Sequence, residues 1–265
     1  RAGLVNVFPA GAITKGLRGE ELAEVGEMVK AGIVAITDDA NPVVNHQLMR
    51  RACEYAQVFD IPVIDHCAEP RLAARGHMNE GAMSTRLGLR GISRAAEEMD
   101  VARDIILSRI TGARLHLAHI STQESLSWVR QAKSQGIQVT CEVTPHHFTL
   151  TDADILDYHT DFKVDPPLRT RKDVEAMLDG LADGTIDCIA TDHAPQTRME
   201  KETTLDEAAH GIIGIETAIP GTVEQTPETQ SQTNIAILLL LEKKKTTTPQ
   251  TRTNNTSLDT HYPHT

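Results

Sequence analysis

Five short β-branched runs, each closed by polar residues and followed by a longer segment of helical period, alternate along the chain between Gly19 and Gly214. The runs are 32–38 (GIVAITD), 61–66 (IPVIDH), 113–120 (ARLHLAHI), 137–144 (IQVTCEVT) and 186–192 (IDCIATD). The helical segments are 19–31, 43–58, 93–110, 122–135 and 171–182, and Ser121 or Thr122 ahead of Glu124 gives the fourth an N-terminal cap. Such alternation predicts a parallel sheet with helices outside, either an open doubly wound sheet or a (β/α)₈ barrel. The runs are apolar almost throughout, as strands buried on both faces must be. No glycine-rich dinucleotide fingerprint or phosphate loop follows any of them, which weakens the nucleotide-binding alternative.

Composition narrows the function classes. With 26 basic against 37 acidic residues the chain carries a formal charge of −11, so neither nucleic acid nor anionic lipid is an expected partner. The longest aliphatic run, Ile235 to Leu241, is far short of the roughly 18 residues of a spanning helix, so no membrane segment is expected. Cys53, Cys67, Cys141 and Cys188 are widely spaced with no CxxC pair, which fits a reducing, cytoplasmic setting. The chain opens on Arg1 inside an apolar stretch (Leu4, Val5, Val7) that reads as a strand already under way, and the sequence is therefore read as incomplete at its N-terminus. Past Pro220 the character changes: eight of the 24 residues from Glu242 to Thr265 are threonine, and almost none is apolar. Two regions follow, a partial barrel over 1–218 and an atypical, disordered tail over 219–265.

Metal-ligand residue types stand at the C-terminal ends of separate strands, where a barrel collects its active site: Asp38 and Asp39, His66, His119, and Asp192 with His193. Imidazole and carboxylate together suit Zn²⁺, and a carboxylate can bridge two ions. The spacings from Asp39 to His66, His119 and Asp192 in turn are 27, 53 and 73 residues, too long for a zinc finger and suited to successive βα units. Twelve histidines make some strand-end histidines a matter of chance, but four strands ending alike is harder to attribute to it. His116 precedes His119 by three residues, so on a strand of period two they face opposite ways, and His116 is assigned to packing or to support of the site. Asp38 and Asp39 alternate in the same manner, and one of them is free to fix a loop.

These blocks resemble the amidohydrolase superfamily, and within it the type I dihydroorotases. FPAGAITKGLRGEEL (8–22), ITDDANPV (36–43), DHC (65–67), HLAHIST (116–122), VTPHHF (143–148), FKVDPPLR (162–169) and IATDHAP (189–195) carry the resemblance, which runs from Val5 to about Glu216. It implies a (β/α)₈ barrel of the amidohydrolase type, incomplete at the N-terminus, and a zinc-dependent interconversion of L-dihydroorotate and N-carbamoyl-L-aspartate in pyrimidine biosynthesis. By that resemblance Asp39 is the carboxylate shared by two zinc ions, His66 and His119 ligate one, and Asp192 ligates the other and shuttles the proton. Asp165, His210 and Gly211 match substrate-contacting positions. The absence of a lysine at the end of the 32–38 strand separates the chain from relatives that bridge their metals with a carboxylated lysine.

The chain also departs from the family pattern. A His-x-His motif with its following arginine has no counterpart before Leu4, Asp165 stands where asparagine is common, and Gln196 where many members place histidine. An added charge at Asp165 opposes an anionic substrate unless it is protonated or paired with Lys163 or Arg169. The resemblance further implies a homodimer or a complex with aspartate transcarbamoylase. Two other readings are a noncatalytic partner of that enzyme and a cyclic amidohydrolase acting on hydantoin or allantoin.

Overall fold

The computed structural model describes residues 6–216, residue 218, and the backbone of 237–238. Its strands are β1 (Ala10–Gly11), β2 (Ala35–Thr37), β3 (Val63–Asp65), β4 (Met78–Asn79), β5 (Gly91–Ile92), β6 (Leu115–Leu117), β7 (Val139–Val143), β8 (Cys188–Ala190) and β9 (Ile237–Leu238). Its α-helices are α1 (Val25–Lys30), α2 (His46–Val58), α3 (Pro70–Ala73), α4 (Ala82–Leu87), α5 (Ala95–Thr111), α6 (Gln123–Ser134), α7 (Pro145–Thr149), α8 (Arg171–Ala182) and α9 (Arg198–Lys201). Seven strands form one sheet in the order β1-β2-β3-β6-β7-β8-β9, with every neighbouring pair parallel. β4 and β5 form a separate two-stranded ribbon.

All five strand runs and all five helical segments read from the sequence have a counterpart, which gives an α/β partial barrel. The opening apolar stretch is an exception. Val7 and Phe8 are largely exposed, and among the described residues pairing starts at Ala10, opposite Ala35, so Val7, read as part of a strand, is not paired. Leu4 and Val5 lie outside the described residues, as does the tail read over 219–265 apart from residues 237–238, whose backbone continues the sheet.

Strand alternation sorts the side chains into two layers. Leu115, Leu117, Val139, Cys141, Val143 and Ile189 pack outward against Val101 of α5, Leu126 and Val129 of α6 and Met177 of α8. Ile36 and Val63 meet Met49, Ala52, Cys53 and Ala56 of α2 in the same way. On the inner face Ala35, Ile64 and Ala118 are in mutual contact. Two helices start where the sequence supplies a cap: Asn45 Oδ1 accepts from the amides of Gln47 and Leu48, and Thr122 Oγ1 accepts from Ser125 N at 3.1 Å. Among the described residues no helix is long and apolar enough to cross a membrane.

Candidate metal centre

Adjacent residues at each strand end are sent to different duties. Asp38 is buried, and its Oδ1 accepts from Ile13 N at 2.8 Å and Thr14 N at 3.0 Å while Oδ2 takes the Thr14 hydroxyl, so it fixes the turn after β1. Asp39 is released toward the concave end of the sheet, its amide held by Thr37 Oγ1. Asp65 turns outward to Arg103 at 2.8 Å, whereas His66, one residue on, turns to the site.

Three donor atoms converge there. Asp39 Oδ1 lies 3.7 Å from His66 Nδ1 and 3.5 Å from His119 Nε2, and the two imidazole nitrogens are 3.2 Å apart. Both histidines are almost fully buried. Asp39 Oδ1 is itself buried and hydrogen-bonds to nothing, as does His119 Nδ1. A buried carboxylate oxygen without a donor is costly, and the contacts to the imidazoles are beyond ordinary hydrogen-bond length. A divalent cation held by the three atoms would remove that cost, and a mixed N/O donor set is what zinc accepts, so the residues fit a metal ion.

The electrostatics are those of a concentrated charge site. Burial works against ionisation of Asp39, but His119 and His66 beside it hold the carboxyl well below the usual range. Burial likewise opposes charge on His119, yet Asp39, Asp192 and Glu142 push its imidazole up to about 10. Asp192, just beyond β8, is shifted the other way: burial raises its carboxyl, and the nearby His119 only partly offsets this. His119 and Asp192 both have left-handed backbone, with φ of 32° and 43°. Non-glycine residues in that region store strain that surrounding structure must hold, and such strain gathers at functional sites.

The remaining expected residues fall around this centre. Asp165 Oδ2 is 3.8 Å from His66 Nε2 and is 43% exposed. Of the two ways its charge could be offset, pairing with Lys163 or Arg169 is not what the structure shows. Lys163 Nζ is buried and donates to the carbonyls of Asp206 (3.0 Å) and Ala208 (2.6 Å). Arg169 donates to Ser121 Oγ, Asn79 Oδ1 and Glu97 Oε2. Main-chain carbonyls and distant carboxylates claim both cations, for reasons a linear spacing does not reveal. His210 is half-buried with its Nδ1 unpaired, and its carbonyl accepts from Gln196 Nε2 at 2.9 Å. Gly211 has φ 133°, and a Cβ there would sit 2.3 Å from the Ala194 carbonyl, so the close approach of the two loops requires glycine. His193 accepts from the amides of Gly214 and Ile215 and stays out of the trio.

Sequence reasoning missed three supports. Glu142, wholly buried, accepts from His116 Nε2 at 3.0 Å and, at a longer 3.4 Å, from the His119 amide. His116 and His119 therefore both reach Glu142: His119 lies past the end of β6 with positive φ, so strand alternation no longer governs where it points. Glu97 on α5 accepts from the amides of Ser121 and Thr122 and meets Arg169 at 3.3 Å, tying the loop after His119 to the loop after Asp165. His146 is buried with Nε2 unpaired, and burial drives its imidazole well below the usual range. An acidic residue inside an apolar strand (VTCEVT) was the one available signal for Glu142; Glu97 and Arg169 are 72 residues apart and gave none.

Comparison with known proteins supplies the family. The family model described as Dihydro-orotase-like matches residues 1–125. A protein named Dihydroorotase from Pelotomaculum thermopropionicum is 56% identical over 217 residues, 82% of this chain and 51% of its own length. One of the same name from Acetivibrio thermocellus is 56% identical over 218 residues, with the same two shares. The chain thus spans about half the length of the curated relatives it matches. An L-hydantoinase structure from Arthrobacter aurescens superimposes with a TM-score of 0.67 at 21% identity, over 81% of this chain and 49% of that one, which shows a shared fold. Conserved fold and extensive identity together place the chain: it belongs to the dihydroorotase-like family.

Proposed function

We propose that the protein containing this chain is a zinc-dependent dihydroorotase, hydrolysing L-dihydroorotate reversibly to N-carbamoyl-L-aspartate. The observation that carries this reading is the buried, unpartnered Asp39 Oδ1 between His66 and His119, in a chain 56% identical to proteins named Dihydroorotase. Asp39, His66 and His119 would hold one zinc, and Asp39 and Asp192 would contribute to a second. Bound zinc supplies Lewis acidity, which polarises a carbonyl and makes water a competent nucleophile near neutral pH.

The chain's own groups do the rest. Water adds its oxygen to the ring carbonyl carbon, the C–N bond breaks, and one proton must pass from the water to the departing nitrogen. Asp192 is the group to carry it: burial raises its proton affinity, so it can accept that proton and return it. Asp165, beside His66, and His210 would meet the ligand, and Gly211 lets the His210 segment pack against Ala194. Glu97 and Arg169 hold the two loops in register.

A 1–218 barrel unit, a cytoplasmic location, and a homodimer or a complex with aspartate transcarbamoylase accompany this reading. It is tested by Asp192→Asn in the complete protein. Ring opening should fall by roughly 10²–10⁴, the range for losing a general acid–base group, while the ion held by Asp39, His66 and His119 is retained. Near-parental turnover would remove Asp192 from the role.

A further inference from the structure

A second convergence of donor atoms lies on the inner face of the sheet, below the centre just described. His116 on β6 projects inward between Leu115 and Leu117, which project outward. Its Nε2 is 3.0 Å from Glu142 Oε2, and Cys188 Sγ on β8 is 3.9 Å from the same oxygen. The three donor atoms all lie within 4.8 Å of one another. One carboxylate oxygen is therefore the shared acceptor of an imidazole N–H and a thiol S–H, and a cation could replace both protons.

We propose that His116 Nε2, Glu142 Oε2 and Cys188 Sγ form a cation site for a thiophilic divalent ion such as Zn²⁺, distinct from Asp39, His66 and His119. The donor set is one nitrogen, one oxygen and one sulfur, a combination zinc takes in tetrahedral sites with a fourth position left to water. Ligands at ~2.0–2.3 Å from a tetrahedral ion stand roughly 3.3–3.7 Å apart, between the 3.0 and 3.9 Å at which Glu142 Oε2 stands from His116 Nε2 and Cys188 Sγ. Glu142 is positioned from its other oxygen by the His119 amide, and His116 by a 2.8 Å hydrogen bond between Nδ1 and Thr140 Oγ1, so the ring is already oriented by a neighbour.

Access and charge also favour the site. His116, Thr140 and Cys188 line a cavity of about 560 Å³ with Ile64 and Val139. The cations on that cavity wall are engaged elsewhere: Lys133 with Asp187 at 2.7 Å and Arg114 with Asp60 at 3.3 Å. Burial keeps the metal-free Cys188 a thiol, so loading releases the thiol proton to solvent while the His116 ring proton passes to Nδ1 to donate to Thr140 Oγ1, and affinity rises with pH.

Cobalt(II) is the probe, because only a thiolate ligand gives it a sulfur-to-metal charge-transfer absorption and the Asp39–His66–His119 trio contains no sulfur. Titrating the metal-free protein should produce that band, with an intensity of one thiolate-bound cobalt per chain in addition to the cobalt taken up, without the band, by the Asp39 centre. Cys188→Ser should abolish it, and His116→Gln should weaken the binding that produces it by roughly 10–100-fold. Cys141→Ser, with matched thermal unfolding, should leave it intact and so controls for damage to the fold. Cobalt binding without the band overturns the proposal. So does a band that survives Cys188→Ser, since it would assign the sulfur to Cys67 beside Asp65 and Asp104. The readout is independent of catalysis, so it stands or falls apart from the proposed hydrolase activity.

Discussion

The two sides of β3 carry two buried charge clusters that are built on opposite plans. On the helix side, Arg103 meets Asp65 at 2.8 Å, Asp100 at 3.0 Å and Asp104 at 2.7 Å, and donates to the Val43 carbonyl. On the inner side, Asp39, His66 and His119 crowd together with two buried polar atoms left unpaired and a left-handed backbone at His119. The first cluster spends its polar groups on one another and joins α5 to β3 and to the segment before α2. The second keeps ligand atoms unspent. Satisfied polarity supports the fold, and unsatisfied polarity points to a ligand.

The largest effect should come from breaking the satisfied cluster. Arg103→Leu leaves three carboxylates buried around no cation, and urea unfolding at pH 7 should show a loss of about 3–5 kcal/mol. A loss under about 1 kcal/mol would mean that the carboxylates are already neutral and the cluster is not ionic. Asp100 tests that point directly. Burial, with Asp104 nearby, pushes its carboxyl up to about 6 against the pull of Arg103. The folded state therefore holds the proton more tightly than the unfolded chain, and Asp100 favours folding fully only below its unfolded value near ~4. That contribution is lost as pH rises through about 6. Asp100→Asn should flatten the stability profile between pH 4 and 7, by at most about 3 kcal/mol at roughly 1.4 kcal/mol per unit.

The inner cluster should respond with the opposite sign. Burial raises the Asp192 carboxyl, so its charge disfavours folding once it ionises. Asp192→Asn should make the metal-free protein more stable at pH 8, by on the order of 1 kcal/mol, the exchange of stability for function expected at an active site. A clear loss of stability would place Asp192 with the supporting residues. The smallest effect sets the baseline: Arg130 and Asp183 pair at 2.6 Å, but both are nearly half exposed, and Arg130→Ala should shift unfolding by less than about 1 kcal/mol.

The same contrast explains what could be read from the chain. Strands such as 137–144 announce themselves because both faces need apolar groups, and the polar residue ending each one marks the site end of the sheet. Asp39, His66 and His119 were thereby visible, and the structure brings them together. The Arg103 cluster and the Glu97–Arg169 pair were not, because each depends on which helix face packs against which strand. That Lys163 is committed to main-chain carbonyls rather than available to Asp165 was equally invisible, since such acceptors carry no sequence signature. At Val7, the described part of the strand read at Leu4–Val7, apolarity marks a segment without saying whether a neighbour exists to pair with it.

The most direct test is the zinc affinity of the complete protein and its Asp39→Asn variant, measured by chelator competition, with L-dihydroorotate ring opening followed on the same samples. The inner cluster as described predicts tight zinc binding and ring opening in the parent, and in the variant loss of ring opening and of the zinc bound through Asp39, with any zinc at His116, Glu142 and Cys188 retained and the unfolding transition still cooperative. Equal zinc affinity in the two, or zinc-loaded parent protein with no ring opening, would contradict it.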